Sequence, residues 1–276
     1  MPEKPTTKGS QRPPALPAYY SSLGAFHDYF RSGRPVLTYH HVGPRKRGAR
    51  LRGLYVRPKL FLRQLTELKA AGFSTPEYSS LLQSVPEGRK VVFLTFDDGF
   101  RDVFDNAMEP MRLCAFRGIQ FLVADLLGKT NEWQQRAGDV VEPLMDTMQI
   151  REWLAAGHEI GSHTLTHPRL SQLPPAQARE EVSASRKKLE DLFGRPIRHF
   201  CYPYGDWNEP VRALVQEAGY ETACTTGIGI NQTDTPPFLL KRVTARYASR
   251  NWRTARDWFR RRVGWKSRRV SELPMD

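Results

Sequence analysis

An α/β fold is what this sequence predicts, a parallel sheet or barrel whose strands are joined by crossover helices. Strand-like and helix-like segments alternate at least five times along the chain, which implies parallel strands that return through helices. The polar clusters fall directly after strand-like segments, and parallel barrels gather their functional residues at the carboxyl ends of strands. A length of 276 residues suits one large domain or two small ones, and can bury a core without disulfides.

Taken in order, Arg34 to Val42 reads as a short buried strand running into a polar loop. Pro58 to Ala71 places Leu60, Phe61, Leu65 and Leu68 at helical spacing and stops at Gly72. Lys90 to Phe96 is β-branched and aromatic, bounded by charge and then by Asp-Asp-Gly, and reads as one strand. A helix around Asp105 to Arg117 and a strand over Gly118 to Ala124 follow. Gly128 to Asp146 lacks periodicity and is expected to be a long loop. A helix over Gln149 to Ala156 leads into a strand over His158 to Ser162. The helix Pro174 to Phe193 enters through Pro-Pro and closes at Gly194. Strands at Ile197–Tyr202, Tyr220–Thr225 and Leu239–Val243, a helix at Glu209–Ala218 and a last helix at Asn251–Val263 complete the series. The polar clusters after Val36–Tyr39, Val91–Phe96, Glu159–Ser162 and Phe200–Tyr202 are therefore expected to converge.

The composition is that of a globular protein, 39% hydrophobic and 26% charged. Three widely spaced cysteines, Cys114, Cys201 and Cys224, offer neither a disulfide framework nor a thiolate zinc cluster, and they suit a reducing compartment. Met1 to Leu16 is polar and Pro-rich without an apolar core, the composition of a disordered leader rather than a signal peptide. No apolar run reaches the ~18 residues of a membrane span, so the expected location is cytoplasmic. The division expected is a leader and extension over 1–33, a catalytic domain over 34–245 and a basic helix and tail over 246–276. The net charge of +13 is concentrated in Arg45–Arg63 and Arg246–Arg269, which bears on partners rather than on fold. Nucleic acid, an anionic membrane face, an acidic glycan or glycolipid, or a plain solvated surface each fit such charge. No nucleic-acid-binding motif accompanies it, so nucleic acid is not expected. In the tail, Trp252, Ala255, Phe259 and Val263 share a helical face among arginines, a pattern for peripheral membrane contact or for packing on the domain.

Two motifs carry chemistry. Thr95-Phe-Asp-Asp-Gly99 sets adjacent carboxylates at the end of a buried strand, which is costly unless a cation or proton neutralises them; a plain turn is the other reading. His163-Thr-Leu-Thr-His167 has the i, i+4 spacing that brings two histidines to one side of a helical turn. Together they suggest three ligands, Asp-His-His, with a place left for water, as in a catalytic rather than a structural metal site. One carboxylate is then the ligand and the other the general base.

These motifs, followed by His199-Phe-Cys-Tyr-Pro-Tyr-Gly205 as a third, resemble in order and separation the polysaccharide deacetylase family, also called the NodB-homology or carbohydrate esterase family 4 domain. The resemblance runs from about Val36 to Val243. It implies a distorted (β/α) barrel of the NodB-homology type and metal-assisted removal of acetyl groups, most often N-acetyl, from a polysaccharide, oligosaccharide or glycolipid. It makes Asp97 the base, Asp98, His163 and His167 the ligands of a divalent metal (Zn2+, or Co2+ or Ni2+), and the backbone N–H of Tyr204 an oxyanion donor. Two family positions differ: Cys201 stands where an Arg usually steadies the base, and Leu239-Leu-Lys-Arg-Val243 lacks the usual His. Tyr39-His-His-Val42 and Tyr-Pro-Tyr-Gly resemble the subgroup that includes poly-N-acetylglucosamine deacetylases. That subgroup makes His40 the expected general acid; otherwise His40 and His41 merely cap a strand. Arg242 is a candidate to hold Asp97 or a substrate group. Trp133 and Trp207 are candidates to stack on sugar rings or simply to pack. The alternative function is a catalytically impaired carbohydrate-binding protein on the same scaffold.

Overall fold

In the computed structural model, residues 16–84, 86 and 88–246 are described, apart from the side chain of Arg136. The helix expected at Asn251–Val263, the rest of the basic tail and most of the leader lie outside the described residues.

The strands are β1 Val36–Tyr39, β2 His41–Val42, β3 Tyr55–Val56, β4 Phe73–Ser74, β5 Lys90–Val91, β6 Phe93–Phe96, β7 Ile119–Leu122, β8 Glu159–Ser162, β9 His199–Cys201, β10 Thr222–Ile228 and β11 Leu240–Thr244. The helices are α1 His27–Arg31, α2 Pro58–Ala70, α3 Arg101–Cys114, α4 Glu132–Arg136, α5 Thr147–Ala155, α6 Pro175–Phe193 and α7 Glu209–Glu217. Seven strands close a barrel in the order β1-β11-β10-β9-β8-β7-β6, and each neighbouring pair runs parallel. The fold is the distorted (β/α) barrel of the NodB-homology type.

Period-2 alternation divides the barrel residues between two apolar clusters. Leu37, Leu94, Phe96, Phe200 and Val243 pack outward under the helices. Val36, Phe93, Ile119, Phe121, Cys224 and Leu240 form a second cluster with Tyr78. The Tyr78 ring meets Phe93 and Phe121 edge-on, at 5.8 and 6.1 Å between centroids, and its hydroxyl lies 2.7 Å from Cys224 Sγ. This aromatic plug fills the amino-terminal end of the barrel, which leaves polar side chains to the carboxyl end.

Several boundaries differ from the sequence expectation. The strand expected over Lys90–Phe96 is broken at Val92, because β5 pairs with β4 outside the barrel whereas β6 pairs with β1 within it. The helix expected from Asp105 begins at Arg101 and ends at Cys114, closed by Ala115 in the left-handed region at φ 54°. The helix expected from Gln149 begins at Thr147. Asp146 and Gln149 form a reciprocal capping box there, which satisfies two end groups at once. The segment expected to be an unstructured loop contains α4 and is tied down by Asn131, which bonds Val140 O, Gln134 Oε1 and the Glu142 N–H. In the N-terminal extension, Tyr20, Phe26 and Phe30 are buried within the main core, with Tyr20 stacked on Phe30 and edge-on to Phe26.

Candidate metal centre and active site

The four expected strand ends converge on one cleft of about 480 Å³, lined by His40, Asp97, Asp98, His163, Tyr204 and Arg242 among others. Asp97 continues the inward alternation Phe93–Thr95 of β6, so its carboxylate enters the barrel mouth. Asp98 follows at φ 75°, a left-handed turn that a non-glycine residue adopts only against steric resistance. That turn aims the second carboxylate at a different part of the same cleft.

Asp98 Oδ1 lies 3.3 Å from His163 Nε2 and 3.2 Å from His167 Nε2, and all three side chains are buried. His163 Nδ1 is 2.7 Å from the Cys201 carbonyl oxygen. A carbonyl only accepts, so Nδ1 carries the proton and Nε2 presents a lone pair. With a neutral His163 ring, a lone pair and a carboxylate oxygen face each other at 3.3 Å, an arrangement that calls for a cation or a proton between them. Among the described residues Asp98 Oδ1 has no hydrogen-bond donor. Burial lowers His167 against the pull of Asp98, which favours a neutral imidazole with a free ligand atom. The donor set of one carboxylate and two imidazoles fits a divalent metal. Asp97, His163 and Cys201 form a second close group, but there Arg242 already neutralises the carboxylate.

The expectation of a helical turn across His163–His167 is corrected: the segment is a loop, with Thr164 at φ 70° and His167 at φ 67°. Glu181 from α6 accepts the N–H groups of Leu165 and Thr166, and the Thr164 hydroxyl accepts the His167 N–H. The two histidines meet through loop hydrogen bonds instead of helical periodicity. Trp133 stacks on His167 at 4.5 Å, and Tyr204 meets its edge at 4.6 Å.

Arg242 on β11 reaches Asp97 with both fork nitrogens, Nη1 to Oδ1 at 2.7 Å and Nη2 to Oδ2 at 2.8 Å. It also donates to the Thr225 carbonyl, the Thr95 hydroxyl and Cys201 Sγ. Burial raises the Asp97 pKa, yet Arg242, with His40 and His163 behind it, brings the net shift below the usual range. His40 Nε2 lies 3.8 Å from Asp97 Oδ2, and burial lowers its pKa. His41 takes no part in the cleft. It is sandwiched between Tyr55 and Phe100 and paired with Asp102 at 3.0 Å. His199 bonds the Thr222 hydroxyl at the other end of the barrel. Trp133 lines the cleft, whereas Trp207 packs against the core.

Reading the sequence missed Arg50, Leu51, Leu54 and Asp139 in the cleft wall. The Arg50 N–H donates to Asp139 Oδ1 at 2.9 Å and its guanidinium to the Ala137 carbonyl, joining two loops remote in sequence. No local pattern reports such a contact.

A profile of the family described as polysaccharide deacetylase matches residues 84–223. The protein YxkH of Bacillus subtilis (strain 168) is 27% identical over 213 residues, which cover 76% of this chain and 70% of that one. A chitooligosaccharide deacetylase of Bradyrhizobium sp. (strain ANU 289) is 31% identical over 138 residues, 48% of this chain and 54% of that protein. Among solved structures, BC0361, a polysaccharide deacetylase from Bacillus cereus, superposes with a TM-score of 0.66 at 25% identity, covering 81% of this chain and 68% of that one. With the match spanning half the chain and the barrel built in the same way, this chain belongs to the polysaccharide deacetylase family.

Proposed function

We propose that the chain is a divalent-metal-dependent hydrolase that removes acetyl from an N-acetylated sugar unit of a glycan or glycolipid. The observation that carries this reading is the buried Asp98–His163–His167 set, with its opposed lone pairs, next to the Arg242-held carboxylate of Asp97. The chitooligosaccharide deacetylase among its relatives supports N-acetylated substrates.

Asp98, His163 and His167 would hold the metal, with Zn2+ the best match to one carboxylate and two imidazoles. When bound there, a divalent ion polarises the acetyl carbonyl and makes water a stronger acid. Asp97, anionic at neutral pH and fixed at both oxygens, takes the proton from the attacking water. His40 is neutral at the same pH because burial lowers its pKa. It therefore has to gain a proton before giving one, and Asp97 Oδ2 at 3.8 Å is the nearby source. Protonated in this way, His40 delivers the proton to the leaving amine as the C–N bond breaks, yielding acetate and a free amino sugar. The Tyr204 N–H donates to the developing oxyanion, a contribution worth roughly 3–4 kcal/mol in comparable sites. The Arg242–Asp97 fork supports turnover rather than a decayed sugar-binding scaffold.

The test is acetate release from N-acetylglucosamine oligomers together with metal content. Asp98→Ala and His163→Ala are expected to lose bound metal and activity together, and a chelator to abolish acetate release reversibly. Either variant keeping full turnover with metal bound would sink the ligand assignment.

A further inference from the structure

Every charged side chain from Arg45 to Arg63 is Lys or Arg. Several other surface arginines face an acid, Arg101 with Asp105, Arg112 with Glu109, Arg179 with Glu217 and Arg212 with Glu209, as does Arg63 with Glu67 at the end of the stretch. Arg45, Arg52 and Arg57 are exposed and line one recess with Pro44, Tyr55 and Leu60, and no acidic side chain is among its walls. Among the described residues these three cations have no acidic partner; held together they repel one another, so the recess favours an anion.

Its position gives that anion an origin. The short turn Arg52–Leu54 is shared between this recess and the catalytic cleft, since Arg52 lines the first and Leu54, with Arg50 and Leu51, lines the second. The turn is held in place. Tyr55 at its end donates to Glu142 and stacks flat on His41, and β3 pairs with β2. The guanidinium of Arg246 lies against Gly53 so closely that any side chain there would displace it. The cationic recess is thus a fixed neighbour of the acetyl-binding cleft.

We infer that the Arg45–Arg52–Arg57 recess is a subsite for an oxyanion, phosphate or carboxylate, carried by the glycan substrate next to the sugar unit that is deacetylated. The inference rests on the function proposed above and narrows it to anionic N-acetylated glycans. Arginine forks match both oxyanions in a bidentate manner, and a charge near the cleft also speeds encounter.

Acetate release is measured on three oligomers of equal length: neutral N-acetylglucosamine, the same bearing a terminal phosphate, and one containing hexuronate. The wild-type chain is expected to show a lower KM for one anionic oligomer than for the neutral one, and which anion wins identifies the source. The triple variant Arg45→Ala, Arg52→Ala, Arg57→Ala is expected to reduce the anionic-to-neutral ratio of kcat/KM roughly tenfold or more. A charge-matched variant, Arg112→Ala, Arg179→Ala, Arg198→Ala, is expected to leave that ratio where it was, which separates a local subsite from general attraction. Thermal melting checks that both fold. Equal ratios in the wild type and the first variant would overturn the subsite while leaving deacetylation standing. An equal fall in both variants would reduce it to long-range charge. Arginine-dependent binding to phosphatidylglycerol vesicles without preference for an anionic oligomer would replace it with a membrane contact. No acetate from any oligomer would instead strike the proposed function itself.

Discussion

The carboxylate of Asp97 is buried, with 4% of the side chain exposed, and a single guanidinium, that of Arg242, occupies both of its oxygens. Removing one partner of such a pair leaves an uncompensated buried charge, which costs about 3–5 kcal/mol. Arg242→Ala is therefore expected to lower the melting temperature strongly and to abolish acetate release. Arg242→Lys keeps the charge but not the fork. Its expected signature is near-wild-type KM with kcat reduced by an order of magnitude or more, because Asp97 can then swing away from the water that it is proposed to deprotonate. If Arg242→Lys matched the wild type in both stability and kcat, charge alone would be enough and the bidentate geometry would be incidental. The role of Cys201 follows from the same contacts. Its Sγ lies 3.2 Å from Arg242 Nη2 and 3.7 Å from Asp97 Oδ2, so a small side chain at 201 leaves room for the guanidinium that enters from β11.

At the level of elements, the site is made by what happens just after strands end. Asp98 and Gly99 follow β6 at φ 75° and 82°, and Tyr204 and Gly205 follow β9 at φ 60° and 67°. Left-handed backbone at Tyr204 is a strained choice for a residue with a Cβ, and Gly205 makes it tolerable because its missing side chain lets Thr226 of β10 pack directly against the turn. Gly205→Ala is expected to lose ~1 kcal/mol or more. It should reduce kcat more than KM, since the Tyr204 N–H would shift from its proposed oxyanion position; urea unfolding and steady-state kinetics read the two effects separately. Unchanged kcat in a destabilised variant would remove the turn from the oxyanion role. The same elements explain what the sequence disclosed. That Asp97, Asp98, His163 and His167 would meet in one cleft was legible because motif order encodes them. The capping box of Asp146 with Gln149 was legible in principle, being a local signature. The start of α3 was not, because its first residues Arg101 and Asp102 follow a turn and show no apolar period until Val103, Ala107 and Met111 line up. The loop path of His163–His167 was masked by an i, i+4 spacing that reads equally well as helix. The wall formed by Arg50 and Asp139 depends on a contact across 89 positions, beyond any local pattern.

Across the whole molecule, the two ends of the barrel serve different needs, and the amino-terminal end carries a prediction about acid stability. Tyr78 and its aromatic neighbours fill that end, with His199 packed edge-on to Tyr78 at 4.9 Å and His158 against Trp153 at 4.2 Å. Burial, with Arg117 nearby, pulls His158 down to about 4 from 6.5. Burial, with Arg198 nearby, pulls His199 down to about 3. Both groups are neutral in the folded chain at neutral pH, whereas the unfolded chain takes up a proton at each as pH falls below 6.5. The stability linked to these two histidines is therefore fully present well above pH 6.5, declines as the unfolded state binds protons the folded state refuses, and levels off for each group only at its folded pKa. A proton held by the unfolded chain alone costs about 1.4 kcal/mol of stability for every pH unit of that window. For His158 the loss is about 3 kcal/mol between pH 6.5 and 4. His158→Phe keeps an aromatic ring against Trp153 and removes the titration. Its urea-unfolding free energy is expected to fall less steeply than that of the wild type across this window, by close to one proton's worth of slope. If the two acid limbs ran parallel, His158 would bind its proton as readily folded as unfolded, and the acid sensitivity would have to arise elsewhere in the barrel.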